Sequence, residues 1–166
     1  MDSAVVLQAC IETLADEPVQ VILTTGHHTL PEESLPLPTN FRHEAYVPGL
    51  AMARKSNLMI HHGGYGSCQT GLYTGTPAVI IPTFSERESN ARRVAALGAG
   101  DFIVPMVNAS KQKHVDAAEL RAKVRQVLTD PSFTQNARRI SEKLKIYGGA
   151  STTAQLIENF SEERSQ

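Results

Sequence analysis

Several features are scarce or missing in this sequence. No apolar run is long enough to span a bilayer, and no signal peptide opens the chain. Lysine and arginine number 16 against 17 aspartates and glutamates, a net charge of −1. The basic footprint of a nucleic-acid binder is therefore absent, and Lys111-Gln-Lys113 is too short to supply one. There are only two cysteines, Cys10 and Cys68, which lie far apart and form no CxxC pair. The expected setting is reduced and cytoplasmic. Internal repeats and low-complexity stretches are also lacking.

What remains is an ordinary globular composition, 41% hydrophobic and 20% charged over 166 residues. A chain of this size forms one domain and buries about 70% of its unfolded surface. Val6, Cys10 and Leu14, with Leu7 and Ile11 beside them, have helical spacing and predict a helix over 3–15. Strands are expected at 19–24, 41–47, 57–61, 78–81 and 102–104. Residues 26–40, with three prolines and one glycine, read as loop. Short helices are expected over 50–56 and over 68–74. Ser85-Glu-Arg-Glu88 has capping-box spacing and opens a helix that stops at Gly98. Asp116-Ala-Ala-Glu119 looks like a second box, and Asp130-Pro131 places an N-cap before proline at the first helical position. Gly148-Gly149 breaks that helix before a last one over 151–160, which leaves 161–166 as a polar tail. Strands alternating with helices imply a mostly parallel sheet covered on both faces. Such domains begin with a strand, yet this chain begins with a helix. Either the sequence is a trimmed or partial one, or a partner supplies the missing strand.

The most informative segment is His61-His-Gly-Gly-Tyr-Gly-Ser67. It follows the apolar run Asn57-Leu-Met-Ile60 and precedes Cys68-Gln-Thr-Gly-Leu-Tyr-Thr74, which can continue as a helix. A strand, a glycine turn and a helix N-terminus make an anion site, because backbone can approach closely and unpaired N–H groups face the ligand. Ser67 is a candidate N-cap. A metal pair at His61 and His62 is disfavoured, since neighbours on a strand point to opposite faces and no further ligand stands at the right spacing. Cys68 at a helix start could be a lowered-pKa nucleophile, but no base accompanies it, and a packing role fits better. His27-His28 reads as an exposed turn, although it follows the carboxyl end of a strand.

Residues 46–100 resemble the donor-binding half of B-type glycosyltransferases, the group that includes UDP-glucuronosyltransferases, plant natural-product glycosyltransferases and antibiotic glycosyltransferases. The resemblance rests on Tyr46-Val-Pro-Gly49, His61 to Ser67, Gly75-Thr-Pro77, Pro82 and Asn90-Ala-Arg-Arg-Val-Ala-Ala-Leu-Gly-Ala-Gly100, in that order. It implies an α/β, Rossmann-like three-layer sandwich spanning residues 1–160, with the family's first strand absent. It places His62, Gly64, Gly66, Ser67 and Cys68 against the donor diphosphate, an assignment that suits imidazole as a donor to phosphate oxygen. It places Tyr46 and Val47 against the base, and Gln69, Thr70, Glu86 and Arg87 at ribose or sugar.

Two positions depart from the family. Thr70 stands where a glutamate often accepts from ribose hydroxyls, and a neutral hydroxyl cannot replace that charge-assisted pair. Arg87 stands where glutamine is common; it could meet a carboxylate or phosphate of the donor, or pair with Glu86 or Glu88 and occlude the sugar pocket.

The reading is thus a donor domain for a UDP- or TDP-linked sugar, with no other cofactor, no metal and no catalytic base of its own. The acceptor would be held by an N-terminal domain or a partner subunit, and a homo-oligomer is a further possibility. The alternative is a non-catalytic nucleotide-binding or subunit-assembly module, which Thr70 and Arg87 favour. A sugar-nucleotide epimerase would share the architecture but needs carboxylates this segment does not show.

Overall fold

The computed structural model describes residues 2–164. Seven helices and seven strands occur among them: α1 Asp2–Leu14, β1 Val21–Thr24, β2 Phe41–Glu44, α2 Gly49–Lys55, β3 Met59–His61, α3 Tyr65–Thr74, β4 Ala78–Ile80, α4 Ser85–Ala96, β5 Gly100–Phe102, β6 Met106–Val107, β7 Lys113–His114, α5 Ala117–Thr129, α6 Pro131–Lys145 and α7 Gly149–Glu163. The loop over 26–40 contains one short 3-10 turn, Glu32–Ser34.

The fold is α/β with parallel pairing, a Rossmann-like three-layer sandwich. β3, β4 and β5 form one parallel sheet, and β1 and β2 form another. The side chains of β4 alternate between two apolar clusters. Val79 and Ile81 join Ala9 and Leu14 of α1 and Leu120, Val124 and Val127 of α5. Ala78 and Ile80 join Cys68, Ala91, Val94 and Ala137, from α3, α4 and α6. Helices therefore cover both faces, and each fully buried branched side chain contributes about 1.5–3 kcal/mol. Phe41 and Val21 of the two-stranded sheet pack into the first cluster, so both sheets share one core.

The sheet is nevertheless interrupted. Among the described residues, β1 is paired only with β2 and β3 only with β4. Burial follows the pairing. β4, flanked on both sides, is buried throughout, whereas β1 alternates between half-buried and exposed, and Ile22 is 41% exposed. The chain runs outward from β1 to β2 and then returns to β3, β4 and β5.

The predicted elements are all present, with several shifts. β5 starts two residues before its expected place because Gly100 is set opposite Ala78, where a Cβ would lie 2.1 Å from the Ala78 carbonyl oxygen. Strands β1, β2, β3 and β4 are shorter than expected, since their flanking residues turn away to loops and caps. Ser85 is not an N-cap. Phe84 takes that place in extended backbone with no side-chain cap, and Ser85 is already helical. Asp116 and Asp130 do cap, accepting from the N–H groups of Glu119 and Ser132. The β6–β7 hairpin was not expected from the sequence; its strands have two residues each and exposed side chains, so no alternation marks them. α7 continues to Glu163 rather than stopping at 160, and residues 165–166 of the predicted tail lie outside the described ones.

Candidate functional site

The glycine turn joins β3 to α3, and its conformation depends on two residues without side chains. Gly63 has φ +86°, and a Cβ there would lie 2.8 Å from the carbonyl oxygen of Arg87. The first turn of α4 packs directly against it. A Cβ on Gly64 would lie 2.7 Å from Nε2 of His62. The missing side chain of Gly64 therefore lets the His62 ring lie against the turn, where it is half-buried.

α3 begins one residue after Gly64, which is its N-cap. Ser67 is accordingly inside the first turn and does not cap the helix, a correction to the sequence expectation; the glycines carry the chain into the helix earlier than the serine. Tyr65, Gly66 and Ser67 have backbone N–H groups with no intrahelical acceptor, and these point out of the helix start. The Cys68 N–H is the first to be used, donating to the Gly64 carbonyl at 3.1 Å. The Cys68 side chain is buried with Sγ 3.7 Å from the Gly63 carbonyl oxygen. Burial, then the charge of Glu86, raises its pKa, which suits packing and not nucleophilic attack.

His61 supports the turn from below. Its Nδ1 accepts the Gly63 N–H at 3.1 Å, and the side chain is buried. Burial, then the charge of His62, lowers its pKa from 6.5 to about 4, so the ring is neutral near pH 7. No group of three or more His, Cys, Asp or Glu side chains that could hold a metal ion occurs among the described residues.

Glu86 and Arg87 sit on the first turn of α4, beyond the carboxyl end of β4. Glu86 Oε1 accepts from Asn90 Nδ2 at 2.7 Å. Arg87 Nη1 donates to Thr83 Oγ1 at 2.6 Å, and its guanidinium lies 3.9 Å from the centre of the Phe84 ring. Lys113 of the hairpin donates to the Thr83 carbonyl, so β6–β7 fastens the same loop. That tie crosses 30 positions, and the basic pair around Gln112 gave no sequence signal for it.

Tyr46 and Val47 follow the carboxyl end of β2. Tyr46 is 62% exposed and stacks on His27, with ring centres 5.2 Å apart and planes 7° from parallel. His27, read as a solvent turn from sequence, thus faces a predicted base contact; its place after a strand end was the signal. Gln69 and Thr70 are half-buried on the second turn of α3. Gln69 lines an open pocket shared with Tyr73, Lys145 and Gly148 at the corner between α6 and α7. The structure therefore brings His62, the turn and the α4 start together, and forms a second aromatic cluster at the ends of β1 and β2.

The family model described as "Erythromycin biosynthesis protein CIII-like, C-terminal domain" matches residues 8–152. The NDP-glycosyltransferase YjiC of Bacillus licheniformis is 36% identical over 151 residues, which cover 91% of the chain and 36% of that protein. The solved glycosyltransferase of kitacinnamycin is 30% identical with a TM-score of 0.77, over 92% of this chain and 38% of that one. The glycosyltransferase VinC, solved in complex with DTDP, shares the fold at 24% identity and a TM-score of 0.67, over 90% of this chain and 36% of that one. The chain thus spans a little over a third of the length of each of these proteins.

Proposed function

The chain belongs to the erythromycin biosynthesis protein CIII-like, C-terminal domain family of glycosyltransferases, and from that premise we propose that it is a donor-binding domain for a nucleoside-diphosphate sugar. The observation that carries this reading is His62 lying against Gly64 at the mouth of α3. The unused N–H groups of the first helical turn and the positive end of the helix dipole lie at the same helix start, and in this reading the imidazole joins them in holding a diphosphate.

In sugar transfer, the bond between the anomeric carbon and the diphosphate oxygen breaks, and its electron pair leaves with the diphosphate. The acceptor oxygen forms the new bond and gives its proton to a base. Donors fixed in advance at the diphosphate stabilise the charge that develops there. His62, Gly64, Gly66 and Ser67 supply those donors in this reading, and Cys68 closes the helix behind them. Tyr46 offers an exposed ring to the base and Val47 a backbone edge. Glu86 accepts from sugar hydroxyls, with Arg87 beside it; Gln69 and Thr70 lie toward the ribose. The acceptor and the base belong to an N-terminal domain or a partner subunit. The chain covers only 36% of YjiC's length, which leaves room for such a half in that relative. The isolated chain accordingly does not turn over, and it works in the cytoplasm.

Calorimetric titration with UDP, TDP and GDP tests the reading. The DTDP held by VinC makes the thymidine compound the first to try. Binding is expected, and His62→Ala should weaken it by about tenfold to a hundredfold, the range for a hydrogen bond to a charged group. The second reading, an assembly module without a nucleotide, is favoured by Arg87, whose side chain is held against Thr83 and Phe84 beside Glu86. No binding of any of the three nucleotides would select it, and measured sugar transfer by the chain alone would refute the dependence on a second half.

A further inference from the structure

Asn90 lies one helical turn beyond Glu86 on α4, and its side-chain amide donates in two directions. Nδ2 is 3.0 Å from the Gly63 carbonyl oxygen and 2.7 Å from Oε1 of Glu86. An amide nitrogen carries two hydrogens, so both bonds form at once. The Gly63 N–H is held by His61 Nδ1, so the same glycine is gripped at both its amide and its carbonyl. A continuous path of hydrogen bonds therefore runs from His61 through Gly63 and Asn90 to Glu86, and His62 is the residue suspended between its first two members.

We propose that Asn90 is a positioning residue that couples the carboxylate at the sugar to the turn at the diphosphate; this rests on the donor-domain reading above. Two physical consequences follow from its bonds. A peptide group is planar, so fixing the Gly63 carbonyl also fixes the direction of the Gly64 N–H, one of the diphosphate donors. Glu86 is exposed, and an exposed carboxylate would otherwise sample several rotamers. The Asn90 donor holds one of its oxygens and leaves the second for a ligand. Aspartate at this position would have the shape but no hydrogen to give, and glutamine would be one methylene too long.

The test titrates UDP, TDP, UDP-glucose and TDP-glucose into the unsubstituted chain, Asn90→Ala and the isosteric Asn90→Asp, each checked for an unchanged fold by circular dichroism. The ratio of sugar-nucleotide to nucleotide affinity is the decisive quantity, because a general loosening of the fold would lower both alike. That ratio should fall by about tenfold in both variants, as for loss of a bond to a charged group. A second measurement needs no ligand. In amide-resolved NMR spectra, Glu86→Gln should shift the Gly64 resonance in the otherwise unsubstituted chain and leave it in place when Asn90 is alanine. An unaltered affinity ratio, or a Gly64 shift that persists without Asn90, overturns the proposal. Failure of the unsubstituted chain to bind any of the four compounds instead removes the donor reading, and the coupling with it.

Discussion

The Gly63 N–H donates to Nδ1 of His61 at 3.1 Å, and this bond places the proton of the neutral imidazole on Nε2. Nε2 is itself buried with no partner among the described residues. A second proton would sit on Nδ1, where it would oppose the Gly63 N–H. The pKa near 4 reflects this environment, in which burial is the main cause. Between pH 6.5 and about 4 the unfolded chain carries a proton here that the folded chain refuses. Stability is therefore expected to fall as pH drops through that window and to level off below it, by about 3 kcal/mol at most. His61→Asn keeps an acceptor for Gly63 but does not titrate. Urea unfolding at pH 7.5, 5.5 and 4.5 should show a shallower pH dependence for this variant, and identical slopes would exclude His61 as the cause.

The two outer glycines of the turn should respond oppositely to alanine. Gly63→Ala meets both a left-handed backbone and the Arg87 carbonyl, and should cost roughly 2–4 kcal/mol. Gly66 has nothing within 4 Å of its Cβ position and lies in a helix, so Gly66→Ala should stabilise by about 0.5–1 kcal/mol. If the diphosphate rests against this turn, the same methyl lowers nucleotide affinity while the melting temperature rises. A stabilised Gly66→Ala with unchanged affinity would take Gly66 out of the site.

The interrupted sheet predicts a pattern of hydrogen exchange. Along a strand the N–H groups alternate in direction. Val21 donates to Asn40 and Met59 to Pro77, so the N–H groups of Ile22 and Ile60 point to the unpaired edges. These two amides should exchange roughly a hundredfold faster than the doubly flanked Val79. Equal protection would mean that the edges are occupied in solution, which a dilution series would trace to self-association.

Among the described residues of α7 none is buried, and Leu156, Ile157 and Phe160 are 64%, 65% and 59% exposed. Replacing all three with serine should change folding stability by less than about 1 kcal/mol. Sedimentation at rising concentration should show less association for the variant, since exposed apolar stripes promote contact between chains. A large loss of stability would instead show that the helix packs on the domain.

Much of this was legible in the sequence, for local reasons. Asp116 and Asp130 announce helix starts because a short carboxylate reaches an N–H two or three residues on. Gly75 and Gly98 end helices in left-handed backbone that other residues avoid. Ser67 and Ser85 misled for the complementary reason: a serine near a helix start is a cap only if the chain enters the helix after it. Gly64 and Phe84 took those places through the path of the preceding loops. β5 slid toward Gly100 because of a contact with β4, which no window around residue 100 contains.

The sequence by itself determined the order of β1 to β5 and of the helices, the glycine turn at 61–67 and the residues gathered on it, because those signals act over one or two turns of chain. Tertiary structure decided the open edges of β1 and β3, the stack of His27 on Tyr46 and the two hydrogen bonds that Asn90 donates to Gly63 and Glu86. Gly63 and Asn90 stand 27 positions apart. Their meeting depends on how β4 and α4 return the chain to the turn, and that path is set by the burial of both faces of the sheet.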